Sequence, residues 1–306
     1  MNQDRLTIFN ANRSHLLGIA YRMLGEMSGA EDVVQESWLR WHRAAPDDVR
    51  DPRAWLSAVT VRLALDALRK ARARRETYVG PWLPEPLLPD DTKALAADAP
   101  AARAELASDL SLALLHVLER LSPEERAAFV LHDAFDCDYP TIARMLEKTE
   151  PACRKLVSRA RERVKSERPR HSVSKEQHRA LVEKFLVASA TNDPAQVSEL
   201  LADDVALYSD GGGRVAAALN PIYGAGKVMR FALGVMRKFG PAEGFTMSRT
   251  EINGAPGVLL RTADGLHSVL TMEFDADLIS AIYLVRNPEK LTRLSRLASA
   301  GSSPSA

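Results

Sequence analysis

Residues Tyr139–Lys165 read YPTIARMLEKTEPACRKLVSRARERVK, and their spacing predicts two helices joined by a tight turn. In the first, Ile142, Met145 and Leu146 fall at i, i+3 and i+4 and make one apolar stripe. Glu147-Lys148-Thr149 is too polar and short for anything but a connection. Thr149 can cap the second helix, and Pro151 is tolerated in its first turn, where the amide has no helical partner. Cys153, Val157, Ala160 and Val164 then keep a 4-3-4 spacing that marks a buried seam. The opposite face carries Lys155, Ser158, Arg159 and Glu162, flanked by Arg154 and Lys165. A short helix, a turn and a helix with a basic outer face is the helix-turn-helix pattern, which argues for DNA binding. An ordinary helical hairpin with a solvated basic face shares the spacing.

The chain has 306 residues, enough for two or three domains with cores of their own. Its net charge of +1 is unevenly spread. Met1–Tyr78 carries 13 basic and 10 acidic residues, a net +3, and Asp138–Arg170 carries 10 and 5, a net +5. Val79–Leu106 carries 2 and 5, a net −3, whereas Ser174 to the end carries 14 of each. A basic unit beside a neutral one points to a polyanionic partner for the first only. The two cysteines, Cys137 and Cys153, make no C-x-x-C pair. They fit a reduced cytoplasm and support neither a disulfide nor a zinc site. No stretch reads as a signal peptide or a membrane span. A cytoplasmic protein without a membrane partner is expected.

Working outward, Asp4–Arg43 reads as helical, with Leu16, Leu17, Ala20, Tyr21 and Leu24 on one stripe and a break expected at Ser28-Gly29. Ala30–Trp41 restarts with Val33, Val34, Ser37, Trp38 and Trp41 inward and Glu31, Asp32, Gln35, Glu36 and Arg40 outward. That acidic face is either solvated surface or a protein-binding face. Pro46–Pro52 is a polar loop. A third helix spans Arg53–Arg75, with Trp55, Leu56, Val59 and Leu63 inward and five basic residues among the seven of Arg69–Arg75. A basic run after an amphipathic helix suits phosphate contacts.

Three runs carry a resemblance: AEDVVQESWLRWH (30–42), DPRAWLSAVTVRLALDALRKARARR (51–75) and LSPEERAAFVLHDAFDCDYPTIARMLEKTEPACRKLVSRARERV (121–164). Their order and separation resemble an extracytoplasmic-function (ECF) sigma factor of bacterial RNA polymerase, the first two its σ2 domain and the third its σ4 domain. Trp82-Leu83-Pro84-Glu85-Pro86, Asp210-Gly211-Gly212-Gly213 and Asn287-Pro288-Glu289-Lys290-Leu291 resemble the subgroup that carries a fused SnoaL-like domain. The resemblance implies a multidomain fold. All-α σ2 (1–78) and σ4 (107–170) domains flank a Pro-rich linker (79–106) and precede an α+β SnoaL/NTF2-like cone (174–291) and a flexible tail (292–306).

The resemblance also implies roles. Asp32, Gln35, Glu36 and Trp38 would dock on the β′ clamp of the RNA polymerase core, while the β flap would meet σ4. Trp55, Arg62, Arg69 and Lys70 would recognise and melt the −10 promoter element. Melting costs a few kcal/mol of unstacking per step, offset by trapping a base and by backbone charge contacts. Trp55 also reads as core, because it shares a stripe with Val59. Arg154, Lys155, Ser158 and Arg159 would read the −35 element in the major groove, where each bidentate contact to guanine is worth about 1–3 kcal/mol of discrimination. How these four divide between bases and phosphates is not resolved by sequence. Ser122-Pro123-Glu124-Glu125 is a capping box of structural meaning.

The linker carries proline at 81, 84, 86, 89 and 100, which stops helices and keeps the chain extended. Leu88–Pro100 reads as a passive tether. Pro81–Leu88 does not, since a tryptophan and three leucines are costly to expose; Trp82, Leu83 and Pro84 are expected to dock on another domain of the chain. In the C-terminal part, His178–Thr191 is amphipathic, and Val197, Leu200 and Leu201 mark a second helix. A strand is expected over Val205–Tyr208 and a helix over Gly224–Phe239. Three strands follow, Gly257–Thr262, His267–Phe274 and Leu278–Val285, the first two joined at Asp264-Gly265. Enzymes of the cone fold use an aspartate or histidine, which makes Tyr208, Asp210, His267 and Arg286 candidates. No carboxylate pair, metal-ligand spacing or phosphate loop accompanies them, so no catalytic residue, metal or cofactor is assigned. A small-molecule ligand of the cone stays open. Gly211, Gly212 and Gly213 permit positive φ and close backbone approach. The resemblance groups Asp210–Gly213 with Asn287, Pro288, Lys290 and Leu291 as intrachain regulatory residues. Two functions remain. One is a promoter-directing initiation factor regulated in cis; the other is a DNA-binding regulator fused to a SnoaL-like enzyme or sensor. The acidic face at Glu31–Trp41 favours the first, because a simple regulator needs no polymerase-docking surface.

Overall fold

A computed structural model describes residues 2–44, 49–95, 110–167, 173–239 and 244–300. The chain forms two compact units. The first comprises Met1–Thr77, Asp90–Leu110 and Leu114–Arg168; the second comprises Tyr78–Pro89, Ser111–Ala113 and Pro169–Ala306.

The first unit is helical. Helices α1 (Asn2–Leu24), α2 (Met27–Arg43) and α3 (Pro52–Arg75) pack pairwise around Leu16, Tyr21, Met23, Val34, Leu56 and Val61. The break between α1 and α2 falls at Gly25, not at Ser28-Gly29. Gly25 has φ +71, and its amide donates to Tyr21 O, the left-handed helix stop that glycine adopts without a Cβ clash. Arg5 donates to the carbonyls of Trp41, His42 and Ala44, so a side chain of α1 satisfies carbonyls that end α2. Ser37 and Thr60 share a buried hydrogen bond between α2 and α3.

The expected tether is helical at its start: Pro89–Leu95 forms α4, with Asp91 and Leu95 buried. Proline at its first position removes only an amide that has no helical partner there. Residues 96–109, the rest of the linker reading, lie outside the described residues. Helices α5 (Leu112–Leu118) and α6 (Pro123–Phe129) follow, then a π turn over Val130–Ala134. The Ser122/Glu125 capping box opens α6. The helix-turn-helix consists of α7 (Tyr139–Leu146) and α8 (Glu150–Glu167). Asp138 caps α7 through Thr141 N. Glu147 stops it at φ +54, and the Lys148 amide donates to Ala143 O. Ile142, Met145 and Leu146 are buried, as are Cys153, Leu156, Val157, Ala160 and Val164.

The second unit is the α+β domain. Helices α9 (Lys175–Ala190), α10 (Pro194–Glu199) and α11 (Ala225–Phe239) accompany strands β1 (Leu201–Asp210), β2 (Ile222–Tyr223), β3 (Thr246–Ile252), β4 (Ala255–Thr262), β5 (Gly265–Asp275) and β6 (Leu278–Val285). The sheet order is β2-β1-β6-β5-β4-β3. Only β1 and β6 run parallel. The expected second helix is shorter than its apolar spacing suggested, since Leu201 already belongs to β1. Strand β3 was not expected. Its hairpin to β4 turns on Asn253-Gly254 at φ +53 and +81, the two left-handed residues of a type I′ turn.

Alternation sends each strand's residues to two faces. One face, with Leu207, Leu270, Met272, Ile282 and Leu284, packs against Leu181, Phe185 and Val228 of the helices. The other, with Tyr208, Leu259, Val269, Tyr283 and Val285, is covered by Leu83, Leu112, Leu291 and Leu294. The last two belong to α12 (Pro288–Ala300), so the expected frayed tail is helical to Ala300. Leu294 is fully buried, and that burial is what orders it. Residues 301–306 lie outside the described residues.

His178 packs edge-on against Phe274, with ring centroids 4.7 Å apart. Its Nε2 is buried without a hydrogen-bond partner among the described residues. Burial therefore pushes its pKa down from 6.5 to about 4. The folded value lies below the unfolded one, so the stability contributed by the neutral ring is whole above about pH 6.5 and is lost as pH falls towards 4. Thermal unfolding should show Tm falling across this window, and His178→Phe should flatten the slope. An unchanged slope in the variant would assign it to other groups.

Candidate functional site

In α8, the second helix of the helix-turn-helix, Arg154, Lys155, Ser158 and Arg159 are all exposed, opposite the buried seam. The Arg154 guanidinium lies 4.2 Å from the Tyr139 ring centroid, a cation–π contact that limits its freedom. Arg159 pairs with Glu125 at 3.1 Å. Beside them, Arg161 is held by Asp133 at 2.7 Å.

On α3, Trp55 is half-buried, 5.5 Å from the Trp41 ring. Arg62, Arg69 and Lys70 are exposed. Arg62 meets Glu147 at 3.2 Å, and Arg69 meets Glu124 at 2.6 Å. The hydrogen bond from Arg69 holds the Glu124 carboxyl below the usual range, and Glu124 raises the Arg69 pKa in return. Farther along α3, Arg75 and Arg126 both contact Glu119, while Arg126 Nε donates to Arg22 O at 2.9 Å. On α2, Asp32 and Gln35 are exposed and Glu36 pairs with Arg40 at 3.1 Å. Trp38 packs half-buried against Phe9, 5.0 Å away.

The second unit holds the linker through a clasp on the sheet. Asp210 ends β1 with no exposed surface. Its Oδ1 accepts from Tyr78 Oη at 2.6 Å and Gly212 N at 3.0 Å. Its Oδ2 accepts from Leu83 N at 2.9 Å and Lys290 Nζ at 2.7 Å. Lys290 Nζ also donates to Leu83 O and lies 4.0 Å from the Trp82 ring centroid. One buried ion pair thus takes both the amide and the carbonyl of Leu83. A buried charge needs partners of this kind to offset desolvation.

The surrounding motifs build the clasp. Asn287 Nδ2 donates to Tyr78 Oη at 2.9 Å, and Asn287 Oδ1 accepts from Glu289 N, capping α12. Gly212 has φ +62, and a Cβ there would fall 2.4 Å from Asn287 Nδ2. Gly213 faces Val79, and a Cβ on Gly211 would lie 2.5 Å from Val215 O. Farther along the linker, Leu87 N donates to Asn253 Oδ1 and Asn253 N donates to Leu87 O. Leu83 and Pro84 are buried, as is Leu291, whereas Pro288 is exposed.

Sequence reasoning missed Tyr78 and Asn253. The Asn-Gly dipeptide at 253 signals its hairpin, but nothing local reveals that Asn253 also clamps the linker. The four residues weighed for catalysis do not converge. Tyr208 stacks on Tyr283 at 5.5 Å, Asp210 belongs to the clasp, and His267 bonds Arg286 at 2.9 Å. Burial, then the Arg286 charge, lowers the His267 pKa. Among the described residues no group of His, Cys, Asp and Glu is arranged to hold a metal. No helix there is long and apolar enough to cross a membrane.

Two helical modules, one with a basic helix-turn-helix, joined by a linker clasped to an α+β domain, define a multidomain DNA-binding protein. The model for Sigma-70 region 2 matches residues 8–74, and that for Sigma-70, region 4 matches residues 111–164. The chain is 39% identical to the ECF RNA polymerase sigma factor SigJ of Mycobacterium tuberculosis over 293 residues, 93% of this chain and 92% of the relative. It is 33% identical to the probable ECF sigma factor SigI of that organism over 289 residues, 94% of each. The crystal structure of M. tuberculosis SigJ matches with a TM-score of 0.73 at 34% identity, over 94% of this chain and 98% of that one. The chain belongs to the ECF family of RNA polymerase sigma factors. It binds the polymerase core and directs it to promoter DNA.

The clasp has a thermodynamic signature. Asp210→Asn strands the buried Lys290 ammonium and Lys290→Met strands the carboxylate, so each should cost about 3 kcal/mol or more in urea unfolding. The double variant should lose less than the sum of the two. Additive losses would show that the pair contributes no coupling.

Proposed function

We propose that the α+β domain regulates this sigma factor in cis by fixing the linker that joins σ2 to σ4. The observation that carries this reading is the hold of Asp210 and Lys290 on both polar backbone groups of Leu83. A linker held at Leu83 and again at Leu87 cannot pay out freely. Its free length sets how σ2 and σ4 reach the −10 and −35 elements together. The clasp then acts by geometry, with no catalytic step, in the cytoplasm where the polymerase works.

Within this reading the sites divide by surface. The acidic face of α2, with Asp32, Gln35 and Glu36 and with Trp38 at its edge, docks on the β′ clamp, while σ4 meets the β flap. Arg62, Arg69 and Lys70 engage −10 DNA, with Trp55 packed behind them. Arg154, Lys155, Ser158 and Arg159 engage the −35 element. Tyr78, Trp82, Leu83, Asp210, Gly212, Asn287 and Lys290 are the regulatory set.

Reversing charge at Asp32 and Glu36 should abolish association with core polymerase while leaving the fold intact, because both lie on the polar face of α2 and such changes shift stability by about 0.5 kcal/mol or less. Undiminished pull-down would reduce that face to solvated surface. For the clasp, Gly212→Val and Lys290→Ala should keep core binding yet change transcript yield from a promoter that the wild-type holoenzyme uses. Yields equal to wild type in both variants would refute regulation through the linker.

A further inference from the structure

Arg62 and Arg69 lie two turns apart on α3, and each meets a carboxylate of σ4, Arg69 alongside Asp66 of its own helix at 3.2 Å. Glu147 reaches Arg62 from the helix-turn-helix connection, and Glu124 reaches Arg69 from the first turn of α6. Glu147 occupies a left-handed position at φ +54. Glycine is favoured there and any side chain is strained, and the side chain present carries an anion to a DNA-binding cation. Behind this pair of contacts the seam is fixed by buried groups. Arg126 is 1% exposed and shares Glu119 with Arg75, whose guanidinium also donates to Leu24 O at 2.8 Å. Arg72 donates to Leu121 O at 3.3 Å. The inner network holds σ4 against α3, and the outer pairs remain open to exchange.

We infer that Glu124 and Glu147 stand in for DNA phosphates, so that in the free factor σ4 competes with single-stranded DNA for Arg69 and Arg62. The inference rests on the assignment of those arginines to the −10 element. Guanidinium binds carboxylate and phosphate through the same fork of donors, so a phosphate can replace each carboxylate without moving the helix. Affinity for DNA falls by the fraction of molecules in which the arginines are occupied. Both pairs are largely solvent-exposed, so each contributes modestly and is screened by salt. A competitor of that strength tunes DNA affinity without blocking it.

The test uses the full chain and a fluorescein-labelled 12-nucleotide single-stranded DNA of mixed sequence, read by anisotropy. Glu124→Gln with Glu147→Gln should bind about fivefold more tightly than wild type at low salt, and the gain should shrink as salt rises. Glu176→Gln with Glu199→Gln removes the same charge from exposed sites elsewhere and should give little gain. Adding Arg62→Ala and Arg69→Ala to the first pair should erase the gain. The proposal is overturned if the first pair binds no better than the charge-matched control, or if its gain survives loss of both arginines. The −10 assignment is tested separately. If Arg62→Ala with Arg69→Ala leaves promoter opening by the holoenzyme intact, while Glu124→Gln with Glu147→Gln still binds fivefold more tightly when both arginines are present, that assignment fails and the competition stands.

Discussion

The Asp210–Lys290 ion pair organises the second unit. Neither group has meaningful access to water, so each charge is tolerable only because the other is present and the remaining lone pairs and protons are filled. Those remaining positions are filled by Tyr78, Leu83 and Gly212. The requirement to satisfy a buried charge therefore recruits the linker and the glycine turn into one constellation. Asp210 closes β1, Lys290 begins α12, and Leu83 lies more than a hundred residues away in sequence. A single electrostatic constraint joins the three.

The first unit solves a related problem with the opposite sign. Two arginines, Arg75 and Arg126, converge on Glu119, and the excess positive charge is spread over carbonyls of α1. Burial lowers the Arg75 pKa. Around it the contacts grow wetter and weaker, ending in the exposed Arg62–Glu147 and Arg69–Glu124 pairs. A gradient from buried to solvated ion pairs lets the two helical modules remain associated while their rim exchanges partners.

Much of the helical architecture was legible because its signals are local. The 4-3-4 spacing of α8, the Ser122 capping box and the stripe of α1 each depend on neighbours within two turns. The outer-face burial of Leu83 was legible only as an expectation that an apolar linker must cover something. The resemblance grouped Asp210, Asn287 and Lys290 as intrachain residues, but the clasp they form on Leu83 could not be read locally, since each, like Asn253, looks like a turn or surface residue in isolation. The helix at the C-terminus was misjudged for the same reason. Thr292–Ala300 is rich in serine and alanine, and its order comes from Leu291 and Leu294 meeting a sheet whose outer face was not visible locally. The break at Gly25 was a failure of a different kind, because two glycines four residues apart competed for one helix stop. Only backbone conformation decides between them: Gly25 takes positive φ, whereas Gly29 stays within α2.

The linker, α12 and Leu112 of α5 together cover apolar residues on one face of the sheet. Beneath them lie Tyr208, Leu259, Val269, Tyr283 and Val285, a contiguous apolar surface of the kind that drives association in water. Under the proposed regulation, release of the linker would also uncover part of this face. An uncovered apolar face would make the released form more prone to association than the clasped form. Under that regulation, activation and exposure of this apolar face would share one cause.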